Sequence, residues 1–430
     1  MSNGLQKLTQ SELDEIIRKH LKFISGIRGG ARAIIKFKDI SGLSFHKADL
    51  SQSDFTGSVL VGANMSYGNF KGVSFFACDL RGANLEHACF ARADLRGATV
   101  VGAKLTGADF QKADLREGII LNRVGTDNVG LADSYYGESK KAKTIFAGAR
   151  LAETNLSGAM GRDTDFTDAD LTGVIIKDAD FQNANFHGAN LTGADFTGSD
   201  LKNANLKSSV ISGTIMTDTK TEGMDTTDSI SEEKMGAKLE SLGKTLPQLL
   251  EEHTAWIASA GRKGARLDLS GFDLRHILDL RAYSLTAVKA IGAMFINQNL
   301  EGINAQSASF DRADFRDSNM KKADVRGSSM KNAMLTRVNL VGANFSPLLF
   351  KNPDGSNRLQ RVNLTGANLR YAIMTDSNLS DCILTGVDLS YAVLHGVDLR
   401  RADLTGAILD NADFHGAILT DVISDKPINA

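Results

Sequence analysis

A small residue and a large apolar residue recur at every fifth position over most of this 430-residue chain. In the stretch "ARADLRGATVVGAKLTGADFQKADL", which occupies residues 91–115, Ala93, Ala98 and Ala103 are each followed two positions later by a large apolar residue. A period of five fits neither the helical period nor the strand period. It indicates a repeat architecture in which each unit turns one small and one large side chain into a narrow core.

The frame of large apolar residues continues through four stretches of the chain. They span 40–120, 146–216, 280–345 and 364–419. In the second stretch only Gly161 breaks the apolar rule. The 4 prolines lie outside the regular parts of these stretches, as expected if nearly every backbone N–H is needed for hydrogen bonds between units.

Units such as "ADLRG" at 93–97 and "ADLTG" at 402–406 resemble the pentapeptide-repeat family, whose motif is Ala-Asp/Asn-Leu/Phe-x-x. The resemblance covers roughly two thirds of the chain and implies a right-handed quadrilateral β-helix with four units per turn. Residues twenty positions apart are then expected to stack, and Phe70, Phe90 and Phe110 form one such column.

Two segments outside the frame resemble each other and predict helices. In "LDEIIRKHLKFISGIRGGARA" and "LPQLLEEHTAWIASAGRKGARL", which start at positions 13 and 246, His20 matches His253 and Phe23 matches Trp256. Both have apolar residues at helical spacing and lead into a five-residue frame. We therefore predict an internal duplication: an all-β solenoid of two right-handed quadrilateral β-helices, each preceded by an α-helical cap. The histidines hold each helix to its first coil, and the aromatic side chains plug the end.

The resulting organisation has four parts and two interruptions. The parts are the N-terminal helical cap at 1–38, the first β-helix at 39–216, a linker with a second helical cap at 217–262, and the second β-helix at 263–430. Residues 121–144 and 346–359 interrupt the frames and are predicted to be loop insertions.

The insertions are the predicted partner-binding segments, because long loops on a rigid scaffold often carry function. The candidate binding residues are Tyr135, Tyr136, Lys140 and Lys141 in the first insertion, and Leu348, Leu349 and Phe350 in the second. Two alternatives remain open. The insertions could be tolerated without a function, or the second could fold back as one irregular unit.

The spacing of polar residues predicts no enzyme and no cofactor. Asp and Asn follow the repeat, and no phosphate-binding loop, nucleophile with its base, or paired-cysteine zinc motif is present. His395 and His415, twenty positions apart, are the one pair considered for a metal ion. Because a metal site needs further ligands, the pair is interpreted as exposed stacked side chains, and no metal is predicted.

These observations predict a non-enzymatic protein–protein interaction scaffold whose protein partner is unknown. The resemblance implies an alternative, since some pentapeptide-repeat proteins imitate duplex DNA and bind type II topoisomerases, protecting them from quinolones. From Asp163 to Glu233 there are fourteen acidic and four basic residues, which favours this alternative. The net charge of −2 over the whole chain and the duplicated helices favour the scaffold.

The sequence also gives expectations on location and assembly. A polar start, three cysteines and the lack of an apolar run long enough for a membrane span predict a cytoplasmic protein. The net charge does not favour nucleic acid as a partner, and the basic residues of the first cap, such as Arg28 and Arg32, are interpreted as a solvated end. No helix follows Leu419, so that end of the second β-helix is a candidate surface for a homodimer.

Overall fold

The computed structural model describes residues 5–119, 121–124, 128–131, 141–232, 236–275, 279–351 and 354–428. The chain divides into two compact units, Met1–Lys234 and Met235–Ala430. Each unit consists mainly of stacked coils of twenty residues, in which parallel β-bridges connect positions twenty apart, as in Asp54 with Ser74. The prediction of a β-solenoid with four five-residue units per coil is confirmed.

A tight turn separates each unit from the next. In the unit of Leu50, the N–H of Ser53 donates to the Leu50 carbonyl at 3.1 Å, and Gln52 between them has a φ of 63°. A positive φ at the third residue is what a type II turn requires. The same position is held by Gly62 or Gly102 in other units, with φ of 65°, which explains why glycine is so frequent.

The Asp or Asn before each large residue has a structural task. The carboxylate of Asp54 accepts the backbone N–H of Thr56 at 3.1 Å, and Asn84 accepts that of Glu86 at 3.1 Å. Such bonds, two residues forward, stabilise the turn that follows. The carboxylates follow the repeat because each one supports a turn.

Large inward side chains stack in columns along each core. Ring centres lie 5.3 Å apart for Phe70 and Phe90, and 4.8 Å apart for Phe90 and Phe110. In the second unit, Phe295 and Phe315 stack at 4.7 Å. The predicted columns are confirmed, and side chains of this size bury enough apolar area to be the main stabilising component of each coil.

Gly161, the exception to the apolar rule, is compensated by its neighbour in the next coil. A Cβ placed on Gly161 would overlap the ring of Phe181, twenty positions on. The Phe181 side chain is fully buried and also packs edge-on against Phe166 at 5.7 Å. One phenylalanine thus fills the inward volume of two units.

A helix precedes the coils of the first unit. Strand β1 (Gln6–Lys7) pairs in parallel with β2 (Lys38–Asp39), and α1 (Gln10–Ile24) lies between them in the chain. The helix begins with a capping box between Thr9 and Glu12. Its Leu13 side chain is buried in the same apolar cluster as the core of the coils.

The second unit repeats this arrangement with α2 (Leu246–Ala258), which follows a short 3₁₀ segment at Leu239–Leu242. Leu250 of α2 belongs to the core cluster of that unit. Another 3₁₀ segment lies at Leu280–Ala282. With 15 and 13 residues, α1 and α2 are too short to cross a membrane, and no other helix of the described ranges is long and apolar enough to do so.

The first β-helix extends further than predicted. Bridges connect Asp200 to Lys220, Asn205 to Asp225 and Val210 to Ile230. The segment 217–229, which belongs to the predicted linker and cap at 217–262, therefore forms part of a coil. Its inward positions include threonine instead of a large apolar residue, which hid the frame.

Both insertions contain antiparallel β-hairpins. In the first, β3 (Gly118–Ile119) pairs with β6 (Lys141–Ala142), and β4 (Leu121–Val124) pairs with β5 (Asn128–Leu131). In the second, β7 (Leu348–Lys351) pairs with β8 (Asn357–Gln360). The segment around Leu348 is thus a strand of a hairpin and not an irregular repeat unit.

Candidate interaction surfaces

The hairpin of β7 and β8 presents an apolar pair to solvent. Leu349 lies opposite Leu359, and Phe350 lies opposite Arg358. Successive residues of a strand point to opposite faces, so Leu349 and Leu359 share one face. Leu349 is 62% exposed and Leu359 56%, and two such side chains in cross-strand contact form a small apolar patch.

The opposite face of this hairpin is partly occupied. A Cβ on Gly327 would lie 2.9 Å from the Leu348 side chain, so the absence of a side chain at Gly327 leaves room for Leu348 on the coil. Phe350 is 39% exposed, and the Arg358 guanidinium carbon lies 5.6 Å from its ring centre. Of the predicted binding residues, Leu348 anchors the hairpin, while Leu349 and Phe350 are exposed.

Leu359 was not among the predicted binding residues, although the sequence carries a signal for it. The turn-forming residues Pro353, Asp354 and Gly355 stand between two short stretches. Pairing those stretches as a hairpin places Leu359 opposite Leu349.

In the first insertion, Lys141 belongs to the described residues, whereas Tyr135, Tyr136 and Lys140 lie outside them. The ammonium group of Lys141 forms an ion pair with the carboxylate of Glu117. This hydrogen bond raises the pKa of Lys141. Lys141 lies on β6, at the base of the insertion, and is already paired within the chain.

His20 connects α1 to the coils through both ring nitrogens. Nδ1 accepts the backbone N–H of Ala33 at 3.0 Å, and Nε2 lies 3.0 Å from the carbonyl oxygen of Ser51. A backbone N–H can only donate, so Nδ1 carries no proton, and Nε2–H is the donor to Ser51. The exposed Phe23 ring stacks over His20 at 5.8 Å. The buried member of this pair is therefore His20, whereas Phe23, which was predicted to plug the end of the core, is 41% exposed.

His253 repeats these contacts in the second unit. Nδ1 accepts the N–H of Leu267 at 3.0 Å, Nε2 lies 2.9 Å from the Thr286 carbonyl, and Trp256 stacks at 5.8 Å. Both histidines are fully buried, and burial lowers the pKa of each imidazole. The duplication thus extends to individual hydrogen bonds.

The buried histidines predict a loss of stability in mild acid. The unfolded imidazole takes up a proton near pH ~6.5, whereas folded His20 and His253 do so at lower pH. Between these values the unfolded state binds more protons, so the free energy of unfolding falls as the pH drops below ~6.5. The nearby charge of Asp49 opposes the lowering of the His20 pKa. Arg32 lowers the pKa of His20 further, and Arg266 does the same for His253.

His20→Gln tests this effect in urea unfolding followed by circular dichroism. We expect a cost of about 1–3 kcal/mol at about pH 8, because one of two backbone groups loses its partner, and a smaller cost at about pH 5. The matched control is the exposed His187→Gln, for which no cost is expected. A cost for His20→Gln that is equal at both pH values would contradict the assignment.

His395 and His415 lie on one outer column of the second unit. Their ring centres are 5.9 Å apart with an edge-on geometry. Nε2 of His395 lies 2.7 Å from the carboxylate of Asp413, and this contact lowers the pKa of Asp413. Within the described ranges, no group of three or more His, Cys, Asp or Glu residues is arranged to hold a metal ion.

The two buried cysteines are placed as small core residues. The thiols of Cys78 and Cys382 lie near the carbonyl oxygens of Phe55 and Phe345, at 3.0 and 3.2 Å. Burial raises the pKa of both thiols. A buried thiol without a thiolate is unreactive.

The last described coil of the second unit differs from those before it. Its inward residues Leu409 and Leu419 are half-buried, whereas Leu389 and Leu399, in the coil before, are buried. The outward Ile418 is exposed. Apolar side chains at this end therefore remain partly accessible to solvent.

Comparison with protein families gives a match over more than half of the chain. The family model described as pentapeptide repeats matches eight segments, residues 39–75, 78–117, 146–178, 179–218, 291–327, 321–346, 358–386 and 382–421. No curated protein sequence matches the chain.

Among solved structures, the chain is similar to HetL, a pentapeptide repeat protein involved in heterocyst differentiation regulation from the cyanobacterium Nostoc. The identity is 19%, the TM-score 0.18, and 97% of this chain and 98% of HetL are covered. For trypsin-treated QnrB1, a plasmid-mediated fluoroquinolone resistance protein, the identity is 20% and the TM-score 0.26, and the match covers 50% of this chain and 94% of QnrB1. For Rfr23, a pentapeptide repeat protein from the cyanobacterium Cyanothece, the identity is 20% and the TM-score 0.17, and the match covers 37% of this chain and 91% of Rfr23. These low identities and TM-scores say nothing about function.

Proposed function

Because the chain belongs to the pentapeptide-repeat family, we propose that it is a non-enzymatic protein–protein interaction scaffold. Proteins of this family form right-handed β-helices and are generally non-catalytic structural or interaction proteins. The turns use the abundant Asp and Asn side chains as backbone acceptors, as in Asp54. These turn contacts account for the regular spacing of the carboxylates without a catalytic role.

The observation that carries the proposal is the exposed pair of Leu349 and Leu359. Two cross-strand leucines that are more than half exposed lose apolar contact with water when a partner covers them. The hairpin is held to the coil by Leu348 at Gly327, so this pair is positioned before binding. Preorganisation of this kind reduces the entropic cost of association.

Affinity capture from host lysate tests the proposal with Leu349→Ser/Leu359→Ser. We expect a partner that the wild-type protein retains to be lost, at least about tenfold, since central apolar contacts dominate binding energies. Lys351→Ser/Asn357→Ser is the matched control, because these residues form the next cross-strand pair on the same face of the hairpin. Equal capture by wild type and by Leu349→Ser/Leu359→Ser would remove this hairpin as the binding site.

A second candidate function is modulation of a type II topoisomerase by imitation of DNA. Its support is the acidic stretch from Asp163 to Glu233, with fourteen acidic and four basic residues. All four lysines of this stretch form ion pairs with carboxylates, for example Lys177 with Asp195 at 2.9 Å, so the basic residues are used internally. A gyrase supercoiling assay with and without a quinolone is the test. No effect at micromolar protein would remove this candidate.

Two finer proposals concern the ends of the β-helices. We infer that α1 and α2 act as caps, since an open coil leaves strand edges and apolar core accessible.

We also infer a homodimer through the last described coil, in which Leu409, Leu419 and Ile418 would be covered. Analytical ultracentrifugation of the wild type and Ile418→Lys tests the dimer. A monomeric wild type at micromolar concentration would exclude it.

A further inference from the structure

The first helical segment differs from the second in the residues that it exposes. Buried and stacked positions agree between the copies, as His20 with His253 and Phe23 with Trp256. Exposed positions agree only in part: Ile24 and Ile257 are both 37% exposed, whereas other exposed apolar and charged residues differ. Between Ile16 and Lys38 the first copy has seven basic residues and no acidic one. The equivalent segment 249–272 has three of each.

Apolar side chains differ in the same way. On α1, Leu21 is 42% exposed, and its counterpart on α2, one position after the shared histidine, is Thr254. After α1, Ile27 is 57% exposed, and the residue at the same place after α2 is Gly261. The second copy shows that the cap can form without these apolar groups. Packing within the protein therefore does not explain Leu21 and Ile27.

The helix end brings these apolar residues together. The N–H of Ile27 donates to the carbonyl of Lys22 at 2.8 Å, and Gly26 before it has a φ of 66°. This is the Schellman arrangement, in which the residue after the cap folds back onto the last turn of the helix. Leu21 and Ile24 are neighbours on that turn. Leu21, Ile24 and Ile27 therefore form one exposed patch, here called the apolar end of α1.

Basic residues surround the apolar end of α1. Lys22 lies in the same turn, and Arg28 follows Ile27 directly. Arg18 and Lys19, one turn earlier, share Glu15 at 2.6 and 3.3 Å, so one carboxylate faces two cations. The local charge is therefore strongly positive, although the whole chain carries −2.

We propose that the apolar end of α1 and the cations around it form a docking surface for an anionic lipid bilayer. An amphipathic basic helix with exposed aliphatic residues fits a membrane interface, where the aliphatic groups enter the acyl boundary and the cations meet the headgroups. A nucleic acid has the complementary charge, but its backbone has no apolar region that would cover Leu21 and Ile27. The helix lies on the surface in this arrangement and does not cross the bilayer.

Vesicle flotation of the full chain tests the proposal, with vesicles of phosphatidylcholine alone and with about one-third phosphatidylglycerol. We expect binding to the anionic vesicles only. Leu21→Thr/Ile27→Ser should weaken it at least about tenfold. Lys22→Glu/Arg28→Glu should weaken it by at least about fivefold for each cation lost.

The second copy supplies the matched control, Thr254→Ser/Arg262→Glu. It changes the counterparts of Leu21 and Arg28 and is expected to leave vesicle binding unchanged. Unchanged circular dichroism and thermal unfolding of all variants exclude unfolding as the cause. The proposal is overturned if the wild type ignores anionic vesicles, if it binds neutral ones equally, or if the control weakens binding as much as Leu21→Thr/Ile27→Ser. Binding to duplex DNA without binding to vesicles would assign the cations to nucleic acid and would also overturn it.

Discussion

Replacement of Ala103 by tryptophan is expected to destabilise the first β-helix by at least ~3 kcal/mol. Ala103 is fully buried at the small inward position of its unit, two residues before the buried Leu105. Backbone hydrogen bonds from this unit to the coils above and below fix the spacing between the coils. Nine additional heavy atoms therefore cannot be accommodated without breaking those bonds.

Lys104→Trp is the control, because Lys104 is the exposed outward residue of the same unit. Lys104 forms β-bridges to Asn84 and Arg150 in the neighbouring coils. A tryptophan side chain at this position points into solvent. We expect urea unfolding, followed by circular dichroism, to change by less than ~0.5 kcal/mol. If Ala103→Trp and Lys104→Trp unfold alike, the inward orientation of Ala103 is wrong.

Restoring the repeat at Gly161 is expected to be harmful. Gly161→Leu brings the unit into agreement with the five-residue rule, and should nevertheless cost about 2–3 kcal/mol. The reason is that the Phe181 ring already occupies the space that a side chain at Gly161 would need. A consensus substitution at an exceptional position thus destabilises the core.

The double variant Gly161→Leu/Phe181→Leu should recover at least half of this loss. Phe181→Leu alone leaves a cavity and should cost ~1–2 kcal/mol, and the added leucine fills it. The unfolding free energies of the wild type, the two single variants and the double variant form a double-mutant cycle, in which we expect a favourable coupling of about 1–3 kcal/mol. Additive costs would show that the two positions do not share one volume.

The core of the molecule could be predicted from the sequence because it repeats. Nearly every unit gives one small and one large residue to the interior, so a single rule places Phe70 over Phe90 and Phe295 over Phe315. The structural role of the buried histidines could also be predicted from the sequence, because His20 and His253 recur in two otherwise diverged segments. Their hydrogen-bond partners were not, since the contacts to Ser51 and Thr286 depend on how the helix returns to the coil.

Features that depart from the rule were harder to predict. The coil that ends at Ile230 has threonine at inward positions, so the rule of large apolar residues does not identify it. Leu359 was missed because the insertion was treated as a loop without pairing. For Tyr135, Tyr136 and Lys140, the predicted role in binding stays a prediction.

The two hairpins leave the ladders around them undisturbed. Thr99 bridges Ile145 across the first insertion, and Ser329 bridges Asn363 across the second, each in the register that uninterrupted coils use. A corner of the coil can therefore carry additional chain without a change in the core beneath it. These two corners are places where a foreign epitope or a small folded domain could be grafted for display, with the β-helix as a rigid handle.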